Sequence, residues 1–388
     1  MNILEKRTVT LNTIFNFGAT LVSQFISVYL YIYTKSIPMM CLYIIVRIGL
    51  FPVFFILGNR LSRKHSFTLT YTLGLILITI GLVFSLLSGE LFERAPYYVL
   101  LVAGIIGSGE GFYYFSANNC NQIVSTAQSR ATFLSYNGIF NNITSLLAPV
   151  FSSIILSQTA DELTGYRFIL LSIIIVFVIV IILALRMSIK SDDKDISISK
   201  ALSLKDSVWR DHCIAVLFYG LRDGIGLNMI SLLVYEAAGN GGVYSRLQIM
   251  FSFITIFAYR LLKRVLSKDR ITRTMKAGVI LKIASTYSLI FFPNTIGAII
   301  YGIGNAFAAA FYDNSYSYLS ANIIGRYPGE MTARVVAKET YLSLSRCTSM
   351  FIVLICYRLM SETIYLKASV FVLTLSTIVV ERILLKYK

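Results

Sequence analysis

Apolar runs long enough to cross a membrane recur from one end of this 388-residue chain to the other. A helix needs about 20 apolar residues to cross a hydrocarbon core of roughly 30 Å. In lipid, its backbone polar groups must be satisfied within the spanning element itself. Twelve segments meet that length. In the first half they lie near Val9–Tyr33, Met39–Leu57, Phe67–Leu87, Tyr97–Ala117, Thr132–Leu156 and Phe168–Leu185. In the second half they lie near Val208–Tyr235, Val243–Leu262, Met275–Phe292, Thr295–Tyr318, Val335–Tyr357 and Lys367–Leu384. Charged residues make up only 14% of the chain, where a soluble domain carries about a quarter. These features predict an all-α polytopic membrane protein with 12 transmembrane helices. The first run is too long for the apolar region of a signal peptide and reads as the first span.

The longest hydrophilic stretch, "RMSIKSDDKDISISKALSLKDSVWR", falls between the sixth and seventh runs. It predicts a six-helix bundle over residues 1–187, a linker over 188–207 and a second bundle over 208–388. Lysine and arginine placement gives the orientation. Basic groups such as Arg60, Arg63 and Lys64, or Lys263 to Lys276, fall on the side of the linker. The opposite side holds only Lys35, Arg94, Arg167, Arg246, Arg358 and Lys367. Both termini are therefore expected in the cytoplasm and the protein in the cell membrane. The same asymmetry accounts for the net charge of +16 without a nucleic-acid partner, and it brings basic loops to anionic membrane lipids.

Several chemistries have no support in the sequence. "GK" does not occur, so there is no Walker A lysine and ATP is not expected to drive the chain. GxSxG is absent as well. The only histidines, His65 and His212, lie in different halves, and the five cysteines are scattered without CxxC spacing. No cofactor, no metal site and no enzymatic activity are expected; an intramembrane transferase is the weakest reading.

The two halves carry similar segments. "RLSRKH" after the second span matches "VLSKDR" after the eighth, "NITS" in the fifth matches "RCTS" in the eleventh, and "GSGEG" in the fourth matches "GIGNA" in the tenth. A repeat of six spans preserves orientation, so the halves are expected to be parallel repeats. With twelve spans, this repeat and a basic loop after the second span, the chain resembles the major facilitator superfamily. That family's loop signature, G-x-x-x-D-R-x-G-R-R, is present in worn form as "GNRLSRKHS". Gly58 and Arg63 match, Ser62 stands for the aspartate and His65 for the second glycine. The resemblance implies a conformational role for Gly58 and Arg63. The fifth-span stretch "TSLLAPVFSS" resembles the drug-antiporter motif G-x-x-x-G-P-x-x-G-G with its glycines replaced by other small residues around Pro149. "LRDG…LLVYE" and "GEGFYY" resemble stretches of a poorly characterised group of bacterial facilitators.

Charges inside spans narrow the candidate site. An ionised side chain at the bilayer centre costs from about 2.5 to more than 10 kcal/mol unless it faces a partner or a wet cavity. Glu110, Asp223 and Asp313 lie in the fourth, seventh and tenth spans, which the resemblance implies line a central cavity; they are the candidate proton carriers. Arg222, adjacent to Asp223, points about 100° away from it, so each needs a partner on another helix. Arg47, Arg346 and Glu339 are candidate charge partners, and Lys282 in the ninth span is expected to snorkel. Tyr113, Tyr114, Asn118, Asn137, Asn141, Asn228 and Asn305 are candidate cavity or substrate contacts, because amides both donate and accept. Interhelical bonding is the competing role of each amide, and helix latching that of the Arg222/Asp223 pair.

The expected function is secondary active transport by alternating access, with proton-coupled export of a small amphipathic or hydrophobic molecule. Uptake of a small hydrophilic solute and flipping of a lipid or glycolipid are the alternatives.

Overall fold

The structure is a computed structural model that describes residues 2–124, 130–187, 198–227, 229–265, 270–327, 330–361 and 364–387. Among these residues there is no β-strand. The chain divides into two compact units, residues 1–194 and 195–388.

Unit 1 contains α1 (Ile3–Thr34), α2 (Ile37–Gly49), α3 (Phe51–Lys64), α4 (Phe67–Leu87), the short α5 (Gly89–Arg94), α6 (Tyr98–Val124), α7 (Arg130–Gln158) and α8 (Glu162–Leu185). The helix starts follow local chemistry. Asn2 and Glu5 form a reciprocal capping box on α1, and Ser66 and Asp161 cap α4 and α8. The second span is two helices, α2 and α3, that meet at Leu50. Pro52 lies in the first turn of α3, where a missing N–H costs nothing. On α8, which contains no charge between Phe168 and Leu185, Phe168, Leu171, Ile175, Val178, Ile179 and Ile182 are all exposed, as a lipid-facing stripe requires.

Unit 2 contains the single-turn α9 (Ile198–Leu202), α10 (Ser207–Leu227), α11 (Met229–Ala238), α12 (Gly241–Val265), α13 (Ile271–Phe291), α14 (Thr295–Ala308), α15 (Asn314–Gly325), α16 (Met331–Leu359), α17 (Tyr365–Thr374) and α18 (Ser376–Leu384). A π-helical turn, Ala309–Asp313, joins α14 to α15. Ten helices among the described residues are long and apolar enough to cross a membrane. The two predicted spans outside that set are α12 and α13, helices of 25 and 21 residues. Arg246 and Arg260 on α12, and Arg273, Lys276 and Lys282 on α13, make them more polar.

Close backbone approach organises both units. A side chain on Gly74 (α4) would lie 2.6 Å from the backbone nitrogen of Tyr113 on α6, and one on Gly278 (α13) 2.5 Å from that of Tyr312. Small residues let backbones meet this way where no hydrophobic force drives helices together.

At the linker end of unit 2, the chain's single tryptophan ties several elements together. Trp209 Nε1 donates to the carbonyl of Ala201 on α9 at 2.8 Å. Arg334 lies over the rings of Trp209 and Tyr327, at 4.6 and 3.5 Å from their centroids. Glu330 accepts from Lys200 and Arg334, and Asp206 accepts from the Tyr327 hydroxyl and the Trp209 amide. These bonds hold both carboxyls below their usual range.

Two outcomes follow. Gly74→Val should overpack the α4–α6 contact and destabilise unit 1 by about 1–3 kcal/mol, seen as a lowered Tm in detergent. Because the Asp206 and Glu330 pKa values are depressed on folding, their contribution is complete above the unfolded values near ~4 and is lost as pH falls through the folded ones. Trp209 fluorescence should therefore stay constant from pH ~8 to ~5 and shift only on further acidification. Lys200→Gln should move that shift to higher pH.

Candidate functional site

In unit 1 the buried charges meet between α2 and α6. Arg47 Nε donates to Glu110 Oε2 at 2.8 Å and Nη2 to Oε1 at 2.5 Å. The third nitrogen, Nη1, donates to the Tyr43 hydroxyl at 3.3 Å. The two-pronged geometry suits the planar guanidinium. Gly107, one turn before Glu110, makes it reachable: a side chain there would collide with the backbone carbonyl of Arg47.

Tyr113 is buried in an aromatic stack, 3.7 Å between ring centroids with Phe15, and its hydroxyl accepts from Tyr71 at 3.2 Å. Tyr114 and Asn118 are exposed and follow Glu110 at intervals of four, on one face of α6. The amides pair across helices. Asn12 Nδ2 on α1 donates to Asn121 at 3.0 Å and Asn137 at 3.2 Å, and Asn16 donates to Asn141. Asn137 and Asn141 thus bind α7 to α1. A largely apolar cavity of about 330 Å³, counted with its open mouth, lies beside this network, lined by Leu11, Asn12, Tyr71, Cys120, Asn121 and Met187 among others.

Gly58 lies inside α3 and allows it onto α6; a side chain there would come 2.9 Å from the Phe115 ring. Ser62, in the place of the family's aspartate, is buried and donates to the Asn59 carbonyl at 3.1 Å. The side chain of Arg63 lies outside the described residues.

Unit 2 holds a denser set. Arg346 on α16 gives Nε and Nη2 to Asp223 Oδ2, at 2.7 and 2.6 Å. Gly220 and Gly224 bring α10 against Ser345 and Ser349 of α16, which delivers this contact. Asp313 ends the π turn. There Lys282 Nζ donates to Oδ2 at 3.0 Å, and the Tyr219 hydroxyl lies 3.5 Å from Oδ1. Tyr219 in turn stacks on Tyr316 at 3.8 Å between centroids. Lys282 is thus buried and paired rather than snorkelling, because the π turn brings a carboxylate to it. Glu339 pairs with its neighbour Lys338 at 3.0 Å. Arg222 is buried, with the Tyr301 side chain nearby and Nε without a partner. Asn305 is half-buried on α14, and Asn228 lies outside the described residues.

Sequence reasoning missed Lys282 and Tyr219 as members of the Asp313 cluster, and Asn12 and Asn16 as the partners of the α7 amides. A signal existed for the last two: Asn12 and Asn16 have the same four-residue spacing as Asn137 and Asn141. Asp223→Asn alone strands a buried arginine and should cost about 3–5 kcal/mol, read as a fall in Tm. The double variant Asp223→Asn/Arg346→Met should recover most of that loss.

Several known proteins resemble this chain. The chain is 22% identical to the Bacillus subtilis (strain 168) protein YqgE over 370 residues, covering 94% of this chain and 85% of that one. The solved nucleoside transporter NupG superposes with a TM-score of 0.70 at 12% identity, covering 100% of this chain and 99% of that one. The E. coli fucose:proton symporter FucP superposes with a TM-score of 0.64 at 15% identity, covering 99% and 98%. At these identities the structural likenesses establish the fold. The sequence profile of the Major Facilitator Superfamily matches residues 8–337, and the chain belongs to that superfamily: it is a multi-pass membrane transporter, not an enzyme.

Proposed function

We propose that this protein is a proton-coupled secondary transporter that exports a small amphipathic molecule by alternating access. It does so in the cell membrane, with both termini in the cytoplasm. The observation that carries the reading is the set of three interhelical ion pairs, Arg47–Glu110, Lys282–Asp313 and Arg346–Asp223. Each joins one carboxylate to one cation on a different helix. Protonating the carboxylate removes half of the pair and leaves a buried cation seeking water or another anion. A helix–helix contact formed this way is sensitive to proton binding, and a carboxylate that is paired in one state and hydrated in another takes up and releases a proton as it moves between them. Glu110, Asp223 and Asp313 are the proton carriers in this reading, and Arg47, Arg346 and Lys282 hold their ionised forms.

Export is supported by the antiporter-like stretch of α7. There Ala148 and Ser152 are fully buried beside Pro149, and Ser152 donates to the Pro149 carbonyl at 2.9 Å. The small residues give close packing around a proline-loosened backbone. Uptake of a hydrophilic solute is the second reading, favoured by the likeness to the fucose:proton symporter.

The test is proton flux into proteoliposomes under an imposed pH gradient, screened over amphipathic and sugar-like solutes. Glu110→Gln, Asp223→Asn and Asp313→Asn are measured beside the parent protein. Substrate-induced proton flux should fall at least about tenfold in one or more of them, roughly the weight of one proton-transferring group. Undiminished coupling in all three would reject proton carriage by these residues. Counterflow of solute and proton indicates export, and parallel flow indicates uptake.

A further inference from the structure

Two half-buried arginines inside the spans use one edge of the guanidinium in the same way. Arg47 gives Nε and Nη2 to Glu110, and Arg346 gives Nε and Nη2 to Asp223. Arg222 is the exception. It is only 5% exposed, yet its Nε has no hydrogen-bond partner and it forms no ion pair among the described residues. Other cations of the unit are already matched: Lys282 has Asp313, Lys338 has Glu339 and Arg346 has Asp223. Asp223, the next residue, points to α16 and is spoken for. Among the described residues, Arg222 is thus a buried cation with no carboxylate paired to it.

An unmatched guanidinium in a low-dielectric interior is costly. Nothing in the packing compels it. Arg222 Nη1 lies 2.6 Å from where a side chain on Gly226 would start, so the residue one turn on has been kept small beside the guanidinium. Tyr301 on α14 lies near the same group, and Tyr312, next to Asp313, buries a hydroxyl that has no partner. Arg222 Nε and the Tyr312 hydroxyl are both buried without a hydrogen-bond partner.

We propose that the transported molecule is an amphipathic organic anion whose carboxylate docks on the free Nε edge of Arg222, with the Tyr301 hydroxyl beside it. The substrate supplies the acceptor that Glu110 and Asp223 supply to the other two arginines. Its apolar part then packs on the aromatic and aliphatic surface of the same unit. This inference rests on the transport reading above and narrows it to a substrate class.

The experiment measures thermal stabilisation of the full-length purified protein by benzoate, hexanoate and dodecanoate, each beside its uncharged amide. At least one carboxylate should raise the Tm of the parent protein while its amide does not. Its apparent dissociation constant should weaken at least about tenfold in Arg222→Gln, as loss of a charge-assisted pair requires. Arg222→Lys keeps the buried charge but not the planar fork, and it should also bind more weakly; it serves where Arg222→Gln fails to fold. Stabilisation by no carboxylate, equal stabilisation by the amides, or unchanged affinity in the Arg222 variants would overturn the proposal. The two readings fail separately. Carboxylate binding through Arg222 without coupled proton flux defeats only the proton-coupled mechanism. Proton-coupled transport that survives Arg222→Gln defeats only the anion site.

Discussion

A charge inside a membrane protein must find its partner within the protein, and this constraint organises the interior of both units. The spans supply few ionised groups, and the structure brings most of them together in pairs from different helices. Arg47 meets Glu110 between α2 and α6, Arg346 meets Asp223 between α16 and α10, and Lys282 meets Asp313 at the π turn. In water such pairs would contribute little. In a low-dielectric interior they are strong enough to fix which helices touch, and removal of one member is far more damaging than removal of both.

The glycines make these pairs possible. Gly107 admits the Arg47 backbone to α6, and Gly220 and Gly224 admit α16 to α10. Lipid tails give no hydrophobic reason for one helix to prefer another. Close approach followed by a directed polar contact is what remains to specify the packing. The amide network of α1, α6 and α7 performs the same task in unit 1 without charge. At the π turn backbone geometry itself is altered where it presents Asp313 to Lys282, a recurrent use of such turns.

How these pairs would serve transport depends on their being reversible. A pair that holds two helices in one state and opens in another needs a competitor for each member: a proton for the carboxylate, and water or an anion for the cation. Arg222, left without a carboxylate among the described residues, is where the proposed anion would act as such a competitor. Asp223 and Arg222 are sequence neighbours with opposite fates, one locked to α16 and one free at Nε, because successive residues on a helix face different neighbours.

The membrane-spanning character, a division of the chain into two halves and the residues able to carry charge in lipid were all readable from the sequence. Hydrocarbon thickness sets segment length, and hydration energy makes each buried Asp, Glu, Lys or Arg conspicuous. The worn loop signature and the repeated segments were legible because they are local. Partner choice was not. Whether Glu110 would meet Arg47, whether Lys282 would reach Asp313, and whether Asn137 and Asn141 would be occupied by α1 all depend on helix rotation and on a π turn that no local pattern announces. These pairings emerge from the folded bundle. Contacts between distant helices are selected by the joint packing of many small residues, and that information is spread over the whole bundle rather than written at the residues that finally touch.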